Sequence, residues 1–340
     1  ATLQVILSQV TSQLAIHAAD ILLFDPPSQT LIYAAGTGFR SNAILSTALR
    51  IGAGLAGKAA LSRQTILLPD ISLQEPPTPG PKQLKSLEGF VSYAAVPLIA
   101  KNQVKGVLEI YHRSPLAPSP DWLDLLNTLA TQAAIAIDNA SLFDNLQRSH
   151  QELQIAYDAT LQGWANALEL RDKETEGHSQ RVTQMTLALA QALHFPDDQL
   201  VHLRRGALLH DIGKMAIPDA ILLKPGPLSE DEWVLMRQHP TYAYQLLSPI
   251  AFLRPALDIP HCHHEKWDGS GYPQGLKGEQ IPLPARIFAV VDVFDALTSE
   301  RPYRPAWSRQ DAIHYIREQA GKHFDPKVVE VFLKIVKTFK

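Results

Sequence analysis

The stretch Gly206-Ala207-Leu208-Leu209-His210-Asp211-Ile212-Gly213-Lys214 runs an apolar segment into an imidazole and a carboxylate, then breaks at a glycine. Adjacent ligand-type residues at the end of a helix can splay toward one metal site. Outward from here, strand signals nearly vanish between Leu161 and the end of the chain. Apolar spacing predicts helices over 160–176, 178–194, 198–211, 229–247, 283–299, 308–319 and 325–339. Lys224-Pro225-Gly226-Pro227 and the segment 267–278 mark the breaks. Before residue 115 the text changes to Val/Ile/Tyr-rich, turn-punctuated segments, which predicts an α+β domain ahead of an all-α one.

The bulk numbers exclude several classes. A chain of 340 residues suits two ordinary domains. Apolar residues at 46% and charged residues at 19% describe a globular protein. A formal charge of −3 gives no basic face for duplex nucleic acid. No apolar run reaches the length of a membrane span. Cys262 is the single cysteine, which excludes an internal disulfide framework and predicts a cytoplasmic, reducing location. Ala1-Thr2-Leu3 opens the chain without Met, as expected of a piece cut from a longer protein with further domains upstream.

Ten of the thirteen histidines follow residue 170. The informative set is His178, His210, Asp211, His239, His263, His264 and Asp292, with Glu174 beside them. Glu174 and His178 share one face of a helix. The His263-His264 doublet can serve two neighbouring metals, and Asp292 lies in the apolar run Val290-Val291-Asp292-Val293-Phe294, where a carboxylate needs a metal or an ionic partner. Any one of these side chains alone reads as an ordinary core or surface residue, as do His194, His202, His314 and His323. Imidazoles mixed with carboxylates suit Fe, Mn, Zn, Ni or Co better than Ca or Mg alone. Lys214 can reach a phosphate held there. Arg301 and Arg304 can grip a second phosphate. Asp295, Glu265 and Asp268 are expected to orient ligands or fix loops, with simple loop capping as the alternative.

His210-Asp211-Ile212-Gly213-Lys214 resembles the signature of the HD phosphohydrolase superfamily. The segment His263-His264-Glu265-Lys266-Trp267-Asp268-Gly269-Ser270-Gly271-Tyr272-Pro273 is similar to the hallmark of its HD-GYP subgroup. Ile217-Pro218-Asp219, Lys224-Pro225-Gly226, Ala285-Arg286-Ile287, Phe294-Asp295-Ala296-Leu297-Thr298, Arg301-Pro302-Tyr303-Arg304 and Phe324-Asp325-Pro326 follow that subgroup's order. The resemblance covers residues 160–340. It implies hydrolysis of cyclic di-GMP to pGpG, and in some members on to GMP, at a bi- or trinuclear metal centre. It carries the ligand role to His178, His210, Asp211, His239, His263, His264 and Asp292. It gives catalysis to Asp211 and Lys214, and substrate contact to Lys214, Gly271, Tyr272, Arg301 and Arg304. At the position of Glu174 most members have Tyr; the carboxylate resembles a variant that holds a third metal. A catalytically weak cyclic di-GMP-binding scaffold, or an HD phosphohydrolase acting on another nucleotide, stays open as an alternative.

Residues 1–140 resemble a GAF sensory domain, through Ala19–Phe24, Gly52–Ala60, Leu68-Pro69-Asp70, Ala95–Ile99 and Val104–Ile110. The resemblance implies an antiparallel sheet with helices and, in some members, a small ligand. Without a cysteine in this region a thioether-linked bilin is excluded, and His17 and His112 read as surface or core residues. Local patterns predict a helix over Ala1–Ala19, strands at Asp20–Phe24 and Thr30–Ala35, and a Gly-started helix over Gly52–Leu61. Pro76–Pro81 reads as a surface loop. Ser92–Ala100 and Gly106–His112 read as a hairpin joined by Lys101–Lys105, and Trp122–Asn139 as a long helix. The helix is expected to continue as a connector over 141–160, where Leu142, Leu146, Ser149, Leu153, Ala156 and Thr160 form a short heptad seam suited to a homodimer. The helical domain then fills 161–340.

Overall fold

A computed structural model describes residues 2–41, 48–71, 88–172, 177–300 and 305–339. The chain divides into two compact units, residues 1–151 and residues 152–340.

In the first unit, α1 (Thr2–Gln13) precedes β1 (Ala18–Asp25). The expected helix over Ala1–Ala19 therefore stops early. Ala15 turns the backbone to φ 51, and Ala18–Leu22 is buried on both faces of a strand. Then come β2 (Thr30–Thr37), β3 (Ala48–Arg50), α2 (Gly54–Ser62), β4 (Ile66–Leu68), β5 (Ser92–Ala100) and β6 (Gln103–His112). They form one antiparallel sheet in the order β3-β2-β1-β6-β5-β4. The edge strands β3 and β4 are three residues long, too short to show alternation in the sequence. The hairpin is tighter than expected: Lys101 and Asn102, at φ 48 and 61, make the turn alone, and β6 begins at Gln103. One sheet face packs on α1 and on the start of the next helix through Leu7, Val10, Leu126 and Ala130; the other packs on α2 through Ala56 and Ala60. The loop expected at Pro76–Pro81 lies outside the described residues.

That next helix, α3 (Pro120–Asp172), has 53 residues. It merges three expected segments, 122–139, the connector and the first helix of the second half.

The second unit contains α4 (His178–Ala192), α5 (Leu200–Leu208), α6 (Asp219–Leu222), α7 (Glu230–Met236), α8 (His239–Leu247), α9 (Asp258–Cys262), α10 (Leu283–Thr298), α11 (Arg309–Glu318) and α12 (Pro326–Ile335). Its core joins Val182 and Leu189 of α4, Leu203 of α5, Phe288 and Val291 of α10, Ile316 of α11 and Phe332 of α12. Two expectations fail here. The helix over 229–247 is two helices, broken at Arg237-Gln238, with Pro240 in the first turn of the second. The helix over 198–211 ends at Leu208, so His210 and Asp211 stand in a turn ahead of a 3₁₀ segment, Ile212–Ala216. The distant motifs around Arg286 and Asp325 meet in an ion pair, with Arg286 Nη1 2.7 Å from the buried Asp325 carboxylate that also caps α12. Among the described residues no helix is long and apolar enough to cross a membrane.

Gly106 lets β6 pass against β1: a Cβ there would lie 2.2 Å from the carbonyl oxygen of Leu22. Gly106→Ala should therefore destabilise the first unit by roughly 1–3 kcal/mol in urea unfolding followed by circular dichroism. Wild-type stability in this variant would contradict the packing.

Candidate metal centre

The donors sit where helices start or stop. His210 and Asp211 follow α5, His239 opens α8, His263 and His264 follow α9, His178 opens α4, and Asp292 lies within α10. Gly213 brings the first two of these places together. A Cβ at Gly213 would lie 1.8 Å from the carbonyl oxygen of His239 and 2.6 Å from the Ala243 nitrogen, so only glycine allows this contact.

Two groups result. Asp211, His239, His263 and His264 form one; His178, His210 and Asp292 form the other. Within each group the ligand atoms lie within 4.8 Å of one another. Asp211 faces both. Its Oδ2 is 3.1 Å from His210 Nε2, and its Oδ1 is 3.2 Å from His239 Nε2 and 3.7 Å from His263 Nε2. His178 Nε2 is 3.5 Å from Asp292 Oδ1.

The far side of each ring decides what the near side offers. His210 Nδ1 meets the Ala207 carbonyl at 2.9 Å, His239 Nδ1 the Met236 carbonyl at 2.8 Å, and His263 Nδ1 the Ile259 carbonyl at 3.0 Å. A carbonyl only accepts, so each Nδ1 carries the proton and, in a neutral ring, Nε2 carries a bare lone pair. His178 Nδ1 is held at 2.7 Å by the buried carboxylate of Asp295. His239 Nε2 and His263 Nε2 then face each other at 3.3 Å. Two lone pairs at that distance repel unless a cation lies beside them, so the donor set fits divalent ions with mixed imidazole and carboxylate coordination.

Electrostatics prepare the same state. Burial would raise the Asp211 carboxyl, but the Lys214 ammonium at 2.7 Å and the His210 and His239 rings outweigh it and hold Asp211 well below its ordinary range. Burial pushes His263 below its ordinary value and His264 well below, with neighbouring imidazoles adding to the effect on His264. Asp295 is driven down to about 2: burial opposes the change, and the bonds from His178 and Arg181 overcome it.

The structure brings His178, His210, Asp211, His239, His263, His264 and Asp292 into this region, with Lys214 against Asp211 and Tyr272 stacked on His264 at a ring distance of 4.7 Å. Asp292 is half-buried and not enclosed as its apolar neighbours suggest, because its helix face opens onto the second group. Gly271 lies against its own chain; a Cβ there would be 2.3 Å from the Lys266 nitrogen. Glu265 fixes the same loop by accepting from the Gln274 and Leu276 amides, while Asp268 caps the turn at Ser270. Glu174, Arg301 and Arg304 lie outside the described residues.

Sequence reading missed Arg171, Asp172 and Arg181. Arg171 donates to the carbonyls of Lys214, Met215 and Ile217 and to the Asp219 carboxylate. Asp172 Oδ2 lies 3.3 Å from Lys214 Nζ. The last two residues of α3 thus hold the turn that follows Asp211. No local pattern signals such partners.

The HD domain family matches residues 163–328, and the GAF domain family matches residues 1–138. The chain joins a GAF domain to an HD domain. Over 196 residues it is 44% identical to the "Cyclic di-GMP phosphodiesterase response regulator RpfG" of Xanthomonas campestris pv. campestris, covering 57% of this chain and 52% of that protein. It is 38% identical over 212 residues to the "3'3'-cGAMP-specific phosphodiesterase 2" of Vibrio cholerae, covering 62% of this chain and 39% of that protein. The chain spans about half the length of the first of these curated relatives and less of the second. A crystal structure of a GAF domain/HD domain protein from Geobacter sulfurreducens is 19% identical, covers 42% of this chain and 94% of that one, and superposes with a TM-score of 0.37.

Two outcomes are expected of this HD domain. Asp295→Ala should weaken metal affinity about 10–100-fold in a direct titration, since His178 loses its orienting acceptor; an unchanged affinity would contradict that role. His263 and His264 titrate lower in the fold than in the unfolded chain, which therefore takes up more protons as pH falls through about 6.5. Stability of the chelated protein should fall as pH drops through that range, and His264→Gln should flatten the slope of melting temperature against pH. A melting point that rises on acidification would contradict the sign.

Proposed function

We propose that the HD domain hydrolyses a 3′–5′ phosphodiester of a cyclic dinucleotide, with cyclic di-GMP as its substrate and linear pGpG as its first product. Water adds to phosphorus and the P–O3′ bond breaks, leaving a 5′-phosphate and a 3′-hydroxyl. The observation that carries this reading is Asp211, whose two oxygens face two separate groups of imidazoles beside a lysine. The printed names of the relatives, one for cyclic di-GMP and one for 3'3'-cGAMP, support the substrate class.

In this reading Asp211, His239, His263 and His264 hold one ion, and His178, His210 and Asp292 hold another, with Asp211 shared. Divalent ions there, Fe or Mn first and Zn, Ni or Co after them, supply a Lewis acid for the phosphate and lower the pKa of the attacking water. The side chains do the rest. Lys214, anchored by Asp211 and Asp172, offers its ammonium to a phosphate oxygen. Tyr272, held by His264 stacked on its ring and by Arg237 5.8 Å from the ring centre, is assigned to substrate contact. Gly271 sets the turn before it. Arg301 and Arg304 are assigned to the second phosphate, and Glu174 to a third ion. The GAF domain regulates this activity through α3. The exposed residues Leu142, Leu146 and Leu153 at heptad spacing support a homodimer formed along that helix.

Protein purified without oxygen and supplied with Fe(II) or Mn(II) should convert cyclic di-GMP to pGpG faster than it cleaves 3'3'-cGAMP. His210→Ala and Asp211→Ala should each lower kcat by about a thousandfold or more and lower bound metal. Binding of cyclic di-GMP without turnover would replace the enzyme by a scaffold. Turnover confined to another nucleotide would replace the substrate. Normal activity in either variant would contradict the assigned ligands.

A further inference from the structure

The GAF domain buries two acids side by side. Asp20 on β1 and Glu109 on β6 are directly paired in the sheet register. They are 0% and 5% exposed. Strand alternation points both toward α2, on the face that carries Leu22, Val107, Tyr93 and Tyr111. Glu109 accepts hydrogen bonds from the hydroxyls of Tyr93 and Tyr111. Among the described residues neither carboxyl oxygen of Asp20 has a hydrogen-bond partner beyond a contact with its own backbone amide. Among the described residues no Lys, Arg or His pairs with either acid; the groups that face them are Tyr33, Tyr93 and Tyr111.

This arrangement is unfavourable as it stands. Directly opposed residues on antiparallel strands hold their side chains about 5 Å apart. In an apolar interior two such carboxylates cannot both ionise without a cation. Burial and the neighbouring Glu109 raise Asp20 well above its ordinary range, and burial raises Glu109 to about 7. The pair therefore holds at least one proton at neutral pH, and among the described residues Asp20 still lacks a partner beyond its own amide. A pair of amides or apolar residues would fill the same space without this cost.

Aromatic rings surround the acids. Phe39, Phe90 and Tyr93 each pack on Tyr111 with ring centres 4.9–5.3 Å apart. Tyr33 and Phe39 converge on Gly36 beside Asp20: a Cβ at Gly36 would lie 2.9 Å from the Tyr33 hydroxyl, 3.1 Å from the Phe39 ring and 3.2 Å from Asp20 Cβ. Of these rings Tyr33 and Phe39 are only half-buried, so they border the surface.

We propose that Asp20 and Glu109, walled by these aromatic rings, form a binding site for a small organic cation, a protonated amine or a guanidinium. Its N–H donors would satisfy the Asp20 oxygens, its charge would meet the acid pair, and the rings would cover its carbon atoms by cation–π and apolar contact. The walls favour an organic cation over a metal ion. They offer ring faces in place of oxygen ligands, and the Tyr93 and Tyr111 hydroxyls already donate to Glu109. Binding draws the pair toward its ionised form, so wherever both acids are protonated it releases a proton to solution.

Calorimetric titration of the full chain with methylammonium, putrescine and guanidinium, in two buffers of different ionisation enthalpy, tests this. At least one probe should bind saturably, with proton release where both acids are protonated. Affinity should fall at least about tenfold in both Asp20→Asn and Glu109→Gln. Asp20→Asn removes no native ion pair or tyrosine hydrogen bond, so that variant should melt at or above the wild-type temperature without probe. Three results would each overturn the proposal: no probe binds the wild type, a probe binds both variants equally, or Mg²⁺ or K⁺ binds in place of the organic cations. The proton-release measurement on the wild type stands even if a variant fails to fold.

Discussion

His210, His239 and His263 each give their Nδ1 proton to a backbone carbonyl three or four residues earlier in the chain. The Ala207 and Met236 carbonyls lie at the ends of α5 and α7, where a helix leaves acceptors without an intrahelical donor; the Ile259 carbonyl in α9 also accepts from the His263 amide. At the first two places one local device therefore does two things. It satisfies a buried carbonyl, and it leaves a bare Nε2 turned inward. Asp211 takes the centre because both of its oxygens find such nitrogens, and Lys214 balances its charge. The interruptions of the helices at Leu208 and at Arg237-Gln238 are what this constraint requires. Continuous helices would bond those carbonyls internally and leave the imidazoles free to rotate.

This also explains what the sequence revealed. The seven imidazoles and carboxylates that converge around Asp211 stand in recognisable motifs, so their residue types were legible in the sequence. The breaks that aim them were less so. Trp233, Val234, Leu235 and Met236 run on into His239 with helical spacing, and Pro240 is compatible with a helix start, so periodicity joined two helices into one. Asp292 carried an apolar neighbourhood in the sequence, yet the more enclosed carboxylate is Asp295, one turn further along α10 and bound to His178. In the GAF domain the central strands were legible, while β3 and β4 were too short to leave a pattern.

Arg171 and Asp172 were not legible at all, since their partners lie more than forty positions away in the chain. They give α3 a physical meaning at its end. The helix that begins at Pro120 in the first unit finishes by gripping the turn that carries Lys214. Most buried acids meet a base, as Asp211 meets Lys214 in the HD domain and Glu88 meets Arg113 and Asp138 meets Lys105 in the GAF domain. Among the described residues Asp20 and Glu109 instead face each other and tyrosines.

The central claim is that two groups of side chains sharing Asp211 hold a compact polynuclear centre. Anomalous diffraction from crystals grown without oxygen in Fe(II) or Mn(II), collected on both sides of the metal's absorption edge, tests it directly. The account predicts at least two peaks, one among Asp211, His239, His263 and His264 and one among His178, His210 and Asp292, each vanishing below the edge. Imidazoles with no anomalous density between them, in crystals whose solution holds the metal, would contradict it.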